Sequence, residues 1–328
     1  RVLGIAFELL KEGSIRDFDE LSVERLLFEH IRKSTRYQHA SEEPLIFTKR
    51  LSTHASDVLD RVRIQGTNDK LIFESADLMS DRTHALSQDL LAVSEGRFFN
   101  PLPEDPYLYE LTEDGLNLAL GFAILDSMRH GNRNGTDVSE MLNAMLEPIA
   151  ALDKTSEAVF AALLISSLDE RSNELVTTAL IIEYLKLQNI DENTFPAFEA
   201  IVRNQVDAAM GALAELARSN MHVTNADWLT HALRELRSDP NIWVVISKHI
   251  NAWLRLYSLD PKISVFENSA ESNEKYKAKL AEREALLKAR MDELSDGEAQ
   301  FLSANMHRND RLGDGSLDNE VFSLLAGM

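Results

Sequence analysis

The sequence predicts an all-α protein, a solenoid-like array of helical hairpins with a small winged-helix-like module in its N-terminal third. Three observations carry this. Only 8 Pro and 13 Gly occur in 328 residues, too few for the tight turns of a sandwich or barrel. Apolar residues recur at i, i+3, i+4 and i+7 along most of the chain. Helix start signals near Thr136, Thr155, Asn173 and Thr194 are spaced by roughly twenty residues, so a helix pair recurs at about forty, within the range of helical solenoids.

In order along the chain, Val2, Ile5, Ala6, Leu9 and Leu10 predict a first helix that Gly13 stops. Because it starts at Arg1 rather than Met, inside an apolar helix, the sequence reads as a piece of a larger protein. A second amphipathic helix is expected over 14–34, capped near Asp17, with Phe18, Leu21, Leu26, Leu27 and Ile31 inward. A polar connection, 35–52, carries Pro44 and the apolar patch Leu45, Ile46 and Phe47. Helices are then predicted near Thr53–Ile64, Asn68–Met79 and Arg82–Ser94, with Gly96 as a stop. Arg97-Phe98-Phe99 and Tyr107 to Leu111 flank a Pro-rich loop and predict a β-hairpin. Three helices followed by a hairpin is the order of a winged-helix module.

Thr112-Glu113-Asp114-Gly115 leads into a helix, Leu116 to Met128, that is apolar nearly all round and so must be buried on several sides. It is read as a strut joining the module to the array. The array's inward stripes are expected at Val138, Met141, Leu142, Met145, Leu146 and Ile149, then Val159, Phe160, Leu163, Leu164 and Leu168. Leu175, Val176, Ala179, Leu180 and Tyr184 come next, followed by Phe198, Val202, Val206, Met210 and Leu213 after Thr194 and Pro196. Thr224-Asn225-Ala226-Asp227 resembles a capping box ahead of Trp228, Leu229, Ala232, Leu233 and Leu236. Asp239-Pro240 reads as a cap with Pro at the first helical position, opening the stripe Ile242, Trp243, Ile246, Ile250, Trp253 and Tyr257. A charged helix over 271–294 has a thin seam at Tyr276, Leu280, Leu287, Met291 and Leu294. Ser295-Asp296-Gly297-Glu298 opens a further helix before a polar, Gly-containing tail. The expected domains are a lid-like segment 1–52, the module with its connecting helix 53–130, the array 131–262 and the acidic tail region 263–328.

The formal charge is −20, and residues 101–220 hold 20 Asp/Glu against 7 Lys/Arg, whereas residues 1–70 balance at 12 each. Such an array repels phosphate backbones and suits basic protein partners or self-assembly. Cysteine is absent, which removes disulfides, thiolate metal sites and Cys nucleophiles and fits a reducing, cytoplasmic setting. No apolar run reaches the roughly 18 residues a membrane span requires.

Motifs that force a mechanism are missing. The sequence has no phosphate-binding Gly-x4-Gly-Lys-Ser/Thr loop, dinucleotide glycine pattern, nucleophile elbow or zinc-protease helix. Asp81-x-x-His84 is a lone half of a di-metal signature, and Asp227 with His231 one turn later lacks a third ligand. Asp310 to Val321 resembles a calcium loop with Asp310, Asp314, Gly315, Leu317 and Asp318 in place. Leu312 and Val321 occupy positions where principal ligands belong, so a flexible acidic turn is the better reading. The candidate recognition helix carries Arg82, His84, Gln88 and Asp89, with Asp81, Asp89 and Glu95 opposing phosphate contact. Trp228, Trp243, Trp253 and Tyr257 fall at core spacing. The expectation is therefore no catalytic residue, no cofactor and no metal in this segment.

The opening Arg1-Val2-Leu3-Gly4-Ile5-Ala6-Phe7-Glu8-Leu9-Leu10 resembles the lid helix that follows the ATPase core of bacterial STAND-type and related P-loop NTPases. Tyr107-Leu108-Tyr109-Glu110-Leu111-Thr112-Glu113-Asp114-Gly115-Leu116 is similar to their wing-to-helix passage. The resemblance covers residues 1–130 by motif and the rest by architecture only. It implies a region that senses, packs or oligomerises within a larger NTPase, many of which serve anti-phage defence. The family's phosphate loop and Mg-binding Asp are absent from these residues, so nucleotide chemistry would lie elsewhere. The function expected is a non-catalytic helical scaffold whose recognition surface is the concave face of 136–258. A DNA-binding regulator with an acidic effector region is the alternative, and an enzyme with an unrecognised helical site is the third reading.

Overall fold

The computed structural model describes residues 2–34, scattered positions of 52–60, 72–74, 98–104, 108–169, 173–187, 190–219 and 225–259. It is mostly helical, as the sequence predicts. Two compact units are distinguished, Arg1–Asn204 and Gln205–Met328.

In the first unit, α1 (Val2–Lys11) buries Ile5, Ala6 and Leu9. Gly13, at φ 71°, ends it. The Ser14 amide donates to the Leu9 carbonyl and the Gly13 amide to that of Leu10, at 2.9 and 3.2 Å. This is a Schellman stop, and it needs a left-handed residue that glycine adopts without strain. Ile15 then packs back onto Ile5 and Leu9.

The next helix starts later than its stripe suggests. Asp17 accepts from the Asp19 amide and caps a 3-10 turn, Phe18–Glu20. The α-helix α2 runs over Val23–Ser34, with Ser22 Oγ accepting from the Arg25 amide. Leu27 and Ile31 are buried as expected, but Phe18 faces outward, 46% exposed.

Between α2 and the sheet, helical positions within 52–60 bury Ala55 and Leu59. Ser52 Oγ donates to Asp126 at 2.5 Å. The remainder of 35–71 and of 75–97 lies outside the described residues, and with it the predicted third helix and the patch Leu45–Phe47.

Where a helix over 68–79 is expected, Ile72–Glu74 forms strand β1 instead. A β-branched and an aromatic residue there pair with a strand nearly forty residues on, which overrides local periodicity. Strands β2 (Phe99–Pro101) and β3 (Leu108–Leu111) form the expected hairpin, shifted two residues from the predicted first strand. All pairs are antiparallel, in the order β1-β3-β2. The Thr112 amide donates to Phe98 O at 2.9 Å, which fixes the alternation of the ladder. Asn100 and Glu110 face each other as a bonded pair, and Pro101 turns its nitrogen away from β3.

Helix α3 (Glu113–Arg133) starts at Thr112, whose Oγ1 accepts from the Gly115 amide at 3.1 Å. It is longer than the predicted 116–128. It packs on α2 and β3 and on the three following helices: α4 (Val138–Ala150), α5 (Thr155–Leu168) and α6 (Glu174–Lys186). Leu118, Leu120, Ile124 and Leu125 are sealed from solvent. The strut expected from an all-round apolar pattern is thus present. At Gly121 a Cβ would lie 2.8 Å from the Ala161 Cβ and the Ala162 nitrogen of α5. The two helices cross at backbone contact, on glycine and alanine.

Asp137 caps α4 by accepting from the Ser139 and Glu140 amides, one residue after the predicted start at Thr136. Leu142, Met145, Leu146 and Ile149 are its buried stripe. α5 is more than the amphipathic helix its Val159–Leu168 stripe suggests, for Ala158 through Ser167 are buried almost without interruption. Two hydroxyls in this core are satisfied locally, Ser166 by Thr177 at 2.7 Å and Ser167 by the Leu164 carbonyl at 2.7 Å. Asn173 caps α6. Val176, Leu180 and Tyr184 are buried, but Leu175 is not. Helix α7 (Phe195–Asn204) follows an Asp191–Thr194 turn in which the Asp191 carboxylate accepts from the Asn193 and Thr194 amides. Tyr184 stacks between Phe160 and Phe198, with ring centroids 5.5 and 5.8 Å apart. Burial pushes its hydroxyl pKa well up.

The stripe from Phe198 to Leu213 belongs to two helices, because Gln205 is not helical. The second unit contains α8 (Val206–Ser219), α9 (Ala226–Leu236) and α10 (Pro240–Leu259). α8 packs on both of the others. Asn225 precedes α9 and makes no side-chain cap, and Thr224, where the predicted capping box begins, lies outside the described residues. Asp239 does cap α10, accepting from the Asn241 amide at 2.9 Å. Leu229, Leu233, Leu236 and Ile246 are buried, whereas Trp228 and Trp243 are half-buried. The side chains of Ile250, Trp253 and Tyr257 lie outside the described residues, as does the whole of 260–328.

Candidate functional site

The most unusual side-chain chemistry in the first unit is a set of charged groups withdrawn from water. Glu29 on α2 is fully buried, and Arg25 and Arg32 lie one turn either side of it at 3.2 and 3.0 Å. Neither Glu29 oxygen is aligned for a hydrogen bond, so the attraction is Coulombic. Burial lowers the Arg25 pKa, Glu29 beside it opposing the shift.

Glu20, at the end of the 3-10 turn, is 8% exposed and accepts from both Nη atoms of Arg203 on α7, at 2.7 and 2.6 Å. The Arg16 amide donates to the same carboxylate at 3.1 Å. Its guanidinium reaches Glu199 at 3.1 Å. The Glu20 bond raises the Arg203 pKa. The fork-on-fork geometry fixes orientation as well as distance. Together these contacts tie the 3-10 turn to α7 across 183 residues of sequence.

Further pairs lie apart from this set. Lys154, which precedes α5 without a side-chain cap, is bonded to Glu113 in the first turn of α3 and holds that carboxyl below its usual range. Arg129 pairs with Asp169 at 2.9 Å. In the second unit, His249 on α10 is 2% exposed, and its Nε2 donates to Asp207 on α8 at 2.7 Å. That bond holds the Asp207 carboxyl below its ordinary range.

The outer face of α4, its N-cap and the turn after it are acidic. Asp137, Glu140, Glu147 and Asp153 are all exposed, and no Lys or Arg occurs from 134 to 153. Asp227 and His231 are also exposed, with His231 set edge-on to Trp228 at 6.2 Å. Among the described residues no group of three His, Asp or Glu converges on a possible metal position. Asp81, His84, the candidate recognition helix with Arg82 and Gln88, and the calcium-like stretch Asp310–Val321 lie outside the described residues.

Sequence reasoning missed the Glu20–Arg203 pair and the buried Glu29. Both sit on helical faces that read as polar and therefore solvated. For Glu29 the arginines four residues before and three after gave a local signal; Glu20 and Arg203 gave none. No family model, curated protein or solved structure matches this chain.

Proposed function

We propose that this chain is a non-catalytic helical scaffold that receives a basic protein surface on its acidic helices, within a larger cytoplasmic P-loop NTPase. The observation that carries it is the division of labour on α4. Its apolar stripe is committed to the core, and its outward face presents Glu140 and Glu147, with Asp137 at its cap and Asp153 in the turn after it, without an intervening cation. Charge of one sign on a rigid helix speeds encounter with a basic partner and excludes acidic ones. The concave-face reading of 136–258 narrows accordingly to the acidic faces within the first unit. The lid-like opening and the wing-to-helix passage support placement beside an ATPase core, and the same resemblance supports a setting in anti-phage defence.

The test is charge reversal. Glu140→Lys and Glu147→Lys together, which leave the Asp137 cap in place, should abolish co-purification of a basic partner while the helical circular-dichroism signal stays unchanged. Undiminished recovery at physiological salt defeats the reading.

A second reading, a winged-helix DNA-binding module, draws support from the sheet. A helix-containing segment, then β1, then a β2–β3 hairpin in the order β1-β3-β2, is the strand arrangement such a module uses. Salt-dependent retention on duplex DNA distinguishes the two, and absence of retention at low salt removes this one. Among the described residues no helix is long and apolar enough to cross a membrane.

A further inference from the structure

Among the described methionines, Met128, Met145 and Met210 are buried at 0%, 9% and 3% exposure, whereas Met141 is partly exposed. Met141 closes the first turn of α4, its amide donating to the Asp137 carbonyl at 3.1 Å. Its side chain lies across Gly131, in the last turn of α3. A Cβ at position 131 would fall 2.4 Å from Met141 Cγ, 3.1 Å from Sδ and 3.3 Å from Cε. The absent side chain is the seat of the thioether, and this contact joins the end of one helix to the start of the next.

The seat is rich in acceptors. α3 ends in a Schellman turn with Gly135 at φ 76°. The Asn134 amide donates to the His130 and Gly131 carbonyls at 3.2 and 3.0 Å. The Gly135 amide donates to the Asn132 carbonyl at 3.2 Å and the Thr136 amide to that of Gly131 at 2.9 Å. The Asn134 side-chain nitrogen is engaged by His130 at 2.9 Å. The backbone amides of residues 134–136 are therefore committed, and the carbonyls gather negative partial charge at the helix end. A thioether, apolar and only a weak acceptor, suits that surface.

We propose that Met141 is a site of oxidation by peroxide, and that its sulfoxide releases the first turn of α4 from α3. The sulfur lone pair attacks one peroxide oxygen. The O–O bond breaks, an S–O bond forms, and the second oxygen leaves with both protons as water. Sulfur gives up two electrons and the peroxide takes them. The new oxygen is a strong acceptor set among carbonyls whose amide partners are already used. It meets like partial charge there and is better satisfied by water, so the side chain leaves its seat on Gly131. Selectivity comes from burial, since peroxide reaches the sealed sulfurs of Met128 and Met145 only when the helices open. The proposal does not depend on what the acidic helices receive, because its readouts are the mass and stability of the chain itself.

The experiment treats the folded full chain with hydrogen peroxide and follows each methionine by peptide mass spectrometry. Met141 sulfoxide should form before those of Met128, Met145 and Met210, and urea should abolish the order. The thermal midpoint should fall by roughly 2–4 °C, the scale of a small packing loss in a unit of this size. Methionine sulfoxide reductases, one for each sulfoxide epimer, should restore it. Met141→Leu keeps volume and helix propensity, so it should fold as the unaltered chain does and lose that fall on treatment. Gly131→Ala puts a methyl group into the seat. It should speed oxidation of Met141 and shrink the further fall that oxidation brings. Oxidation of Met141 no faster than that of the buried methionines overturns the proposal. A fall in Met141→Leu equal to that of the unaltered chain also overturns it, since the loss then comes from another residue. An unchanged midpoint once Met141 is fully oxidised, or an undiminished further fall in Gly131→Ala, does the same.

Discussion

Two edges of the first unit use apolar residues in opposite ways. Where α3 crosses α5, the contact is built from Gly121, Ala161 and Ala162, and nothing larger than hydrogen fits at Gly121. Where α1 meets the 3-10 turn, Phe7 and Phe18 are large and face out, while Glu20 of the same turn is buried against Arg203. The small residues are sealed, the large ones exposed, and charge lies inside. Residue size and polarity therefore do not decide burial here. The neighbouring element does, by supplying either a backbone at contact distance or a matched counter-ion.

The comparison is sharpest at the crossing. Gly121→Leu should drive α3 and α5 apart and cost about 3 kcal/mol or more, the upper range for an overpacked core. Urea unfolding followed by circular dichroism would read it as a lower midpoint or a lost cooperative transition. A variant as stable as the parent would mean that the helices do not meet there.

Next in size is the buried pair. Arg203→Ala leaves Glu20 buried without its fork and should cost about 3 kcal/mol. Arg203→Met with Glu20→Leu, which removes both charges and keeps volume, should recover most of that loss. If the double variant is no better than the single one, the cost lies in packing rather than in charge.

The smallest effect belongs to a pair in the second unit, half-exposed Asp207 and buried His249. The Asp207 carboxyl is held below its ordinary range by the His249 hydrogen bond, with Lys248 adding to the shift. A depressed folded-state pKa stabilises the fold above the unfolded aspartate value, and the contribution is lost as pH falls through the lowered value. Thermal midpoints should fall in that acid range, and Asp207→Asn should flatten the fall. An unchanged slope would show that the pair does not couple to folding.

Much of this organisation was legible in residue order. Gly13 and Asp239 mark ends that backbone chemistry dictates locally, and the all-round apolar run from Leu116 announced a buried strut. What escaped was non-local. Ile72 to Glu74 become a strand because β3 supplies partners. Gln205 interrupts a stripe whose spacing of four, Val202 to Val206, continues across the gap. Phe18 and Leu175 sit at inward positions of their stripes yet face solvent, because the turn at Phe18–Glu20 and the first turn of α6 are set by caps rather than by periodicity. Glu20 and Arg203 could not be paired from spacing, since only the fold brings them together.

Pro101 has a consequence beyond its own strand. β2 is a rim strand of the sheet, and its nitrogen on the open side has no hydrogen to offer. A strand from another molecule approaching that rim would find one donor missing at the C-terminal end of β2, so templated addition there forgoes a ladder hydrogen bond. The penalty is written into the covalent structure of residue 101 and does not depend on side-chain charge or pH.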